Sequence, residues 1–207
     1  MRFRVIGVTL VCFSLIFVGL TGQSVAEIDP NTIVGVWLFD DGSGDVAKDS
    51  SGNGLDGALV DGPAWGNGRF GKALELDGSG GHVVIPDHAS PTEAITASIW
   101  VKSAGATWNA HGWVMEKRNA FMLHNIAGST NMGWIFCNGG CWNLPFDWQA
   151  GATGPEDITE WHMYTGTFDS ATGEWFLYID GELASEMDLD KAPIDEDVGP
   201  MYIGNDT

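Results

Sequence analysis

WHMYTGTFDSATGEWFLYIDG, Trp161–Gly181, is the stretch whose reading decides the fold. Its side chains alternate with the period of two that marks an extended strand. On the first arm Trp161, Met163, Thr165 and Thr167 share one face, and His162, Tyr164, Gly166 and Phe168 share the other. On the second arm Trp175, Leu177 and Ile179 oppose Glu174, Phe176, Tyr178 and Asp180. The link DSATG opens with Asp169 and closes with Gly173, where a left-handed conformation would suit a hairpin. Aromatic residues fall on both faces of both arms, which places this ribbon in the middle of a sheet.

Outward from the ribbon the pattern repeats. Short runs rich in β-formers recur between Gly, Asp, Asn and Pro: Ile33–Phe39, Gly57–Val60, Ala73–Leu76, His82–Ile85, Ala94–Lys102, Trp113–Glu116, Ala120–Leu123, Gly133–Cys137, Glu182–Glu186 and Met201–Ile203. No sustained 3.6-residue apolar period follows residue 30, so the spacing predicts an all-β fold, a two-sheet antiparallel sandwich. One segment breaks the rhythm. Residues 138–157, NGGCWNLPFDWQAGATGPED, show no alternation, and loops of that length in compact domains are often functional. The chain stops at YIGNDT just after a strand-like run, so a sandwich built from it is expected to lack its C-terminal closing strands.

The first 26 residues read as an export signal. Arg2 and Arg4 precede the apolar run Val5–Leu20, and Ser24-Val25-Ala26 makes a small-residue cleavage site. The run is short of the roughly 20 residues of a membrane span, and no basic stop-transfer flank follows. Residues 27–207 are then the domain, secreted or held at the cell surface or in the periplasm, with no membrane insertion once the signal is cut. Its 7 basic against 28 acidic residues give −21, which argues against nucleic acid or an anionic membrane as partner.

Three motifs carry chemistry. In DSSGNGLDG, Asp49, Ser51, Asn53 and Gly54 match the first positions of a calcium loop, and Asp40 or Asp56 could add oxygens. The helices and terminal Glu of an EF-hand are missing. The pattern thus admits two readings, a structural calcium held by Asp49 and Asn53, or a Gly/Asn turn closed by Asx hydrogen bonds. Cys137 and Cys141, in CNGGC, form an even pair outside the signal and read as a disulfide in an oxidising compartment, with free thiols as the alternative. One C-x3-C pair without a second does not make a zinc site.

The ten tryptophans divide by context. Trp37, Trp65, Trp100, Trp113, Trp134, Trp161 and Trp175 sit in or beside strand-like runs and are assigned to the core. Trp108, Trp142 and Trp148 lie in breaker-rich stretches. An exposed indole is the shape that stacks on a sugar ring, and Asn109, Asn143, Asp147 and Gln149 could bond its hydroxyls. The other reading buries these indoles under folded-back loops.

Catalysis has little to stand on. EMDLD, Glu186–Asp190, resembles the strand motif of laminarinase-type glycoside hydrolases but lacks the second Glu that an opposed pair requires, and it reads as a solvated strand edge. The five histidines show no spacing with Ser or Cys that suggests a triad, and no H-E-x-x-H occurs.

With these residues in hand the chain resembles a laminin-G-like, concanavalin A-like jelly-roll domain of the bacterial exported type. The pieces are Val36–Gly57, GRFGKALELDG (Gly68–Gly78), HVVIP (His82–Pro86), ASIWVK (Ala97–Lys102), Trp161–Gly181 and YIG (Tyr202–Gly204). The resemblance implies two packed antiparallel sheets and, in the family, glycan or protein ligands, often with calcium. The family's later strand, resembling F-x-G-x-I-D-E-V-x-I-Y, does not occur here. The expected function is a non-catalytic carbohydrate-binding module, with Trp108, Trp142 and Trp148 as stacking residues and a polysaccharide or glycan as partner. A protein-interaction domain with an extracellular protein partner is the first alternative, and an incomplete jelly-roll glycosidase the second.

Overall fold

The computed structural model describes residues 28–109, 113–139 and 151–204. Contacts divide the chain into two units, Met1–Thr32 and Ile33–Thr207. Of the first, the described part holds one turn of 3-10 helix, Pro30–Thr32. The second carries every strand.

These strands are β1 (Val46–Ala47), β2 (Gly57–Val60), β3 (Ala64–Asn67), β4 (Lys72–Glu75), β5 (His82–Ile85), β6 (Ala94–Val101), β7 (Met115–Lys117), β8 (Phe121–Asn125), β9 (Met132–Phe136), β10 (Gly151–Ala152), β11 (His162–Asp169), β12 (Glu174–Ile179), β13 (Glu182–Asp188) and β14 (Met201–Ile203). They build an eight-stranded sheet in the order β1-β2-β5-β14-β7-β8-β9-β10, a four-stranded sheet in the order β13-β12-β11-β6, and the separate hairpin β3-β4. All pairings are antiparallel. The expected two-sheet sandwich is what forms, and the non-sequential strand order is that of a jelly roll.

β11 and β12 occupy the centre of the smaller sheet, as their sequence requires. Gly173 closes their turn at φ 82°. Tyr164, Phe168, Trp175 and Leu177 point inward and are buried. From the larger sheet Met115, Phe121, Leu123, Met132, Trp134 and Phe136 meet them in one core, where the Phe136 and Phe168 rings stack at 4.0 Å. Trp134 is the pivot. Its indole lies so close to Gly166 that a Cβ there would come within 2.2 Å of it. The Trp134 Nε1–H donates to Thr167 O (3.1 Å), and Trp175 Nε1–H donates to Trp134 O (3.2 Å). No side chain other than hydrogen leaves room for this ring, which is why the inward position between Tyr164 and Phe168 is a glycine.

The connection after β13 has no regular structure but is pinned. Lys117, fully buried on β7, donates to Gly199 O and lies 3.9 Å from Asp197. Asp197 accepts from the Asn119 backbone and side chain, at 3.0 and 2.9 Å, and from Gly199 N–H. Burial pushes the Lys117 ammonium below its usual range, and Asp197 opposes that shift.

Several expected elements differ. Ile33–Phe39 is not a strand; it contributes one bridge, Trp37 to Asp49, because Trp37 folds back over Gly35 and donates its Nε1–H to Leu55 O (2.8 Å). Val46–Ala47, Ala64–Asn67 and Gly151–Ala152 form strands too short or too glycine-rich to show a period. The last of these lies within the segment 138–157 expected as loop.

Gly166→Ala is expected to lower stability by about 1–3 kcal/mol, the usual result of forcing a methyl into a packed core. Urea unfolding followed by tryptophan fluorescence reads this. An unchanged midpoint would mean that Trp134 has somewhere else to go.

Candidate functional site

The sequence places its candidate residues in three locations, and the structure treats each differently. Trp108 was expected on an exposed rim. It is 6 % exposed, sits in the main core, meets Tyr164 edge-on at 6.2 Å and donates its Nε1–H to Thr130 O (3.2 Å). With its faces packed and its one donor used, this indole offers nothing to a sugar, so the folded-back reading holds for it. Trp142, Trp148 and Cys141 lie outside the described residues. Cys137 follows β9 and is fully buried.

The loop at Asp49 is a turn of hydrogen bonds. Oδ1 accepts from Val36 N–H (3.1 Å) and Ser51 N–H (2.8 Å), while Oδ2 accepts from the Ser51 hydroxyl (2.8 Å) and Leu55 N–H (3.0 Å). A carboxylate has about four lone-pair positions, and all are taken by donors. Asn53 turns its amide NH2 to the carbonyls of Ile33 (2.8 Å) and Val34 (3.0 Å). Asp49 thus spends its oxygens on backbone and hydroxyl donors in the manner of an Asx turn. Among the described residues no group of three or more His, Cys, Asp or Glu is placed to hold a metal. Burial would raise the Asp49 carboxyl, but the bonds from Ser51, Val36 and Leu55 outweigh it and bring the pKa down to about 2.

Access separates the two outward faces of the sandwich. On the larger sheet the outward residues of β7–β9 include Glu116, Met122, His124 and Ile135, all buried between 0 and 8 %. Trp113 packs edge-on against His124 at 4.6 Å, and Arg118 approaches both the Trp113 ring (5.9 Å) and Glu116 (3.9 Å). This face is closed.

The outward face of the smaller sheet is open. Strand register sets its rows: Trp100 beside Met163, Ser98 beside Thr165 and Tyr178, then Thr96 beside Thr167, Phe176 and Glu186. Ser98 Oγ and Thr165 Oγ1 share a hydrogen bond at 2.7 Å, and the Phe176 and Tyr178 rings lie 6.0 Å apart. The β3-β4 hairpin reaches this face with its tip. Asp40 accepts from Lys72 N–H (2.7 Å) and fixes the tip, and Phe70, 67 % exposed, stands edge-on to Trp100 at 5.5 Å and 86°. The result is a shelf of half-exposed rings along hydroxyl-bearing strands.

Sequence reasoning assigned Trp100 and Trp161 to the core; both are half-buried on this outward face. Period-two alternation tells which residues share a face but not which face is covered. Glu186 and Asp188 are exposed on β13, the edge strand, as the solvated-edge reading of EMDLD expects.

A family model described as the concanavalin A-like lectin/glucanases superfamily matches residues 77–207, more than half of the chain. The chain belongs to that superfamily. Among solved structures it is similar to the binding domain of paraclostridial mosquitocidal protein 1, at TM-score 0.59 and 16 % identity, covering 84 % of this chain and 44 % of that one. It is also similar to the binding domain of botulinum neurotoxin DC, in complex with rat synaptotagmin II (TM-score 0.63, 12 % identity, 86 % of this chain and 45 % of that one). The same toxin domain in complex with SialylT gives 0.60, 14 % identity and coverage of 81 % and 45 %. The chain spans less than half the length of these structures, and at such identities the likeness is one of fold. No curated protein matches it. Among the described residues no helix is long and apolar enough to cross a membrane.

The Asp49 pKa sets a pH window. Held at about 2 in the fold against an ordinary 3.8, the carboxylate contributes stability that is whole above that ordinary value and is lost as pH falls through about 2. Asp49→Asn is expected to unfold at lower urea than the parent at neutral pH, with the gap closing as the pH approaches about 2. Chelation with EDTA leaves the parent's midpoint unchanged.

Proposed function

We propose that this domain is a non-catalytic carbohydrate-binding module of an exported protein. The observation that carries the reading is the open outward face of the smaller sheet. There Phe70, propped on Trp100, stands beside strands carrying Ser98, Thr165 and Tyr178. Exposed rings gain from covering the apolar face of a sugar, and neighbouring hydroxyls can order its polar rim. Apolar patches that stay open on a soluble domain mark binding sites.

Trp142 and Trp148 belong to the proposal as further stacking residues, and Cys137 with Cys141 as a disulfide. Cleavage after Ala26 and secretion complete it. Two neighbours of the fold favour glycans in their own descriptions, one being a complex with SialylT and another a neurotoxin type C whose cell entry depends on two ganglioside molecules. A third, in complex with synaptotagmin II, supports the protein-binding alternative.

Affinity electrophoresis through gels containing a panel of soluble polysaccharides tests this. The parent is retarded by at least one of them. Phe70→Ala and Trp148→Ala each reduce the retardation several-fold, and the melting temperature of Phe70→Ala stays within a degree or two, since an exposed side chain contributes little to stability. Retardation by none, with retention on an extracellular protein instead, would transfer the domain to the protein-binding class.

A further inference from the structure

The open face is not electrically uniform, in a chain whose formal net charge is −19. At the end far from the hairpin tip the rows run into Glu174, Glu186 and Asp188. At the near end stand two cations. Arg69, at the tip of β3-β4, places its guanidinium carbon 5.4 Å from the Trp100 ring centre and 5.5 Å from that of Phe70. Lys102, just past β6, sets its Nζ 5.4 Å from the Trp161 ring centre. Since Met163 pairs with Trp100 and His162 with Val101, Trp161 and Lys102 fall on the same face, one row along. Phe70, Arg69, Trp100, Lys102 and Trp161 form a continuous stripe in which rings and cations alternate.

The donors of both cations are unspent, and both stand against rings of one face. Lys48 pairs with Asp56, Lys117 with Asp197, and Arg118 with Glu116. Neither Arg69 nor Lys102 has a carboxylate or a hydrogen-bond acceptor among the described residues. The acid nearest them, Asp180, sits on the β12-β13 turn with one bond to each oxygen: Oδ2 meets His162 Nδ1 at 2.7 Å and Oδ1 accepts from Met163 N–H at 2.9 Å. Burial pushes the Asp180 carboxyl up, and the bonds to His162 and Met163, with the charge of Arg69, bring it below its usual range. It stays an anion, with each oxygen accepting one bond from β11. A guanidinium held beside two rings at cation-π distance has part of its freedom already removed, and its planar fork matches a carboxylate.

We propose that this stripe binds a polysaccharide of uronic acids, the sugar ring against Phe70, its carboxylate on Arg69, and a neighbouring residue's carboxylate on Lys102. The inference rests on the carbohydrate reading of the same face and adds to it the charge of the ligand. A carboxylate satisfies the fork in two parallel bonds, and the uncommitted positive charge in an otherwise acidic molecule selects against neutral chains.

The test is affinity electrophoresis and tryptophan-fluorescence titration of the parent with polygalacturonate, a neutral β-glucan, dextran sulfate and poly-glutamate. Polygalacturonate is expected to bind most tightly, and its binding to weaken as salt is raised. Arg69→Gln and Lys102→Gln each cost about tenfold in affinity for it, Arg69→Lys recovers part of that loss, and Lys191→Gln, an exposed cation outside the stripe, costs nothing. Melting curves identify any variant that has lost its fold, and the two Gln variants test the stripe independently. Equal binding of the neutral glucan, unaltered by either variant, would overturn the uronic-acid inference and leave the carbohydrate reading standing. Dextran sulfate or poly-glutamate binding as well as polygalacturonate would also overturn it, by showing charge without sugar selection. Binding of no polysaccharide at all would remove both.

Discussion

The Trp134 indole, lying flat against the backbone at Gly166, is the contact on which the sandwich depends. It joins the two sheets at their shared centre and uses its single donor on Thr167 O, so that burying the largest side chain leaves no polar atom stranded. Trp175 repeats the arrangement in the other direction, donating from the smaller sheet to Trp134 O. Burial of two indoles supplies apolar stabilisation, and the two hydrogen bonds fix the register in which the sheets meet. Because β11 carries Gly166 and pairs with both β6 and β12, this contact and the Phe136–Phe168 stack beside it bear on the whole smaller sheet.

That constraint has a consequence on the far side of the same strand. With Tyr164, Gly166 and Phe168 held inward, Met163, Thr165 and Thr167 must face out, and the neighbours they pair with face out too. Trp100, Ser98, Tyr178 and Phe176 are brought to one surface by register alone. The β3-β4 hairpin then adds Arg69 and Phe70 from more than twenty residues away in the chain, fastened by the Asp40 bond to Lys72 N–H. Half of the proposed recognition surface thus belongs to a sheet and half to a separate hairpin, so the surface exists only where the two meet.

Alternation along Trp161–Gly181 was legible because a strand half-buried on each face must repeat every two residues. The turn at Asp169–Gly173 was legible because few residues tolerate the positive φ that a tight hairpin requires, and Gly173 adopts it here, at 82°. The Asp49 motif was legible only as two alternatives. Oxygen ligands for a cation and acceptors for backbone donors are the same residue types at the same spacing, and only the direction of the Val36, Ser51 and Leu55 N–H groups separates them. Context sorted three tryptophans differently from the fold, Trp108, Trp100 and Trp161. Trp108 sits among turn residues yet faces inward, whereas Trp100 lies in a well-formed strand yet faces out.

The sequence by itself determined that the chain is all β, which residues lie on a common face, and where the central hairpin turns, since these follow from local steric limits and a period of two. Tertiary structure alone decided which face of the smaller sheet is open and what stands on it. Exposure depends on what packs against a strand from elsewhere in the chain, and no local pattern carries that information.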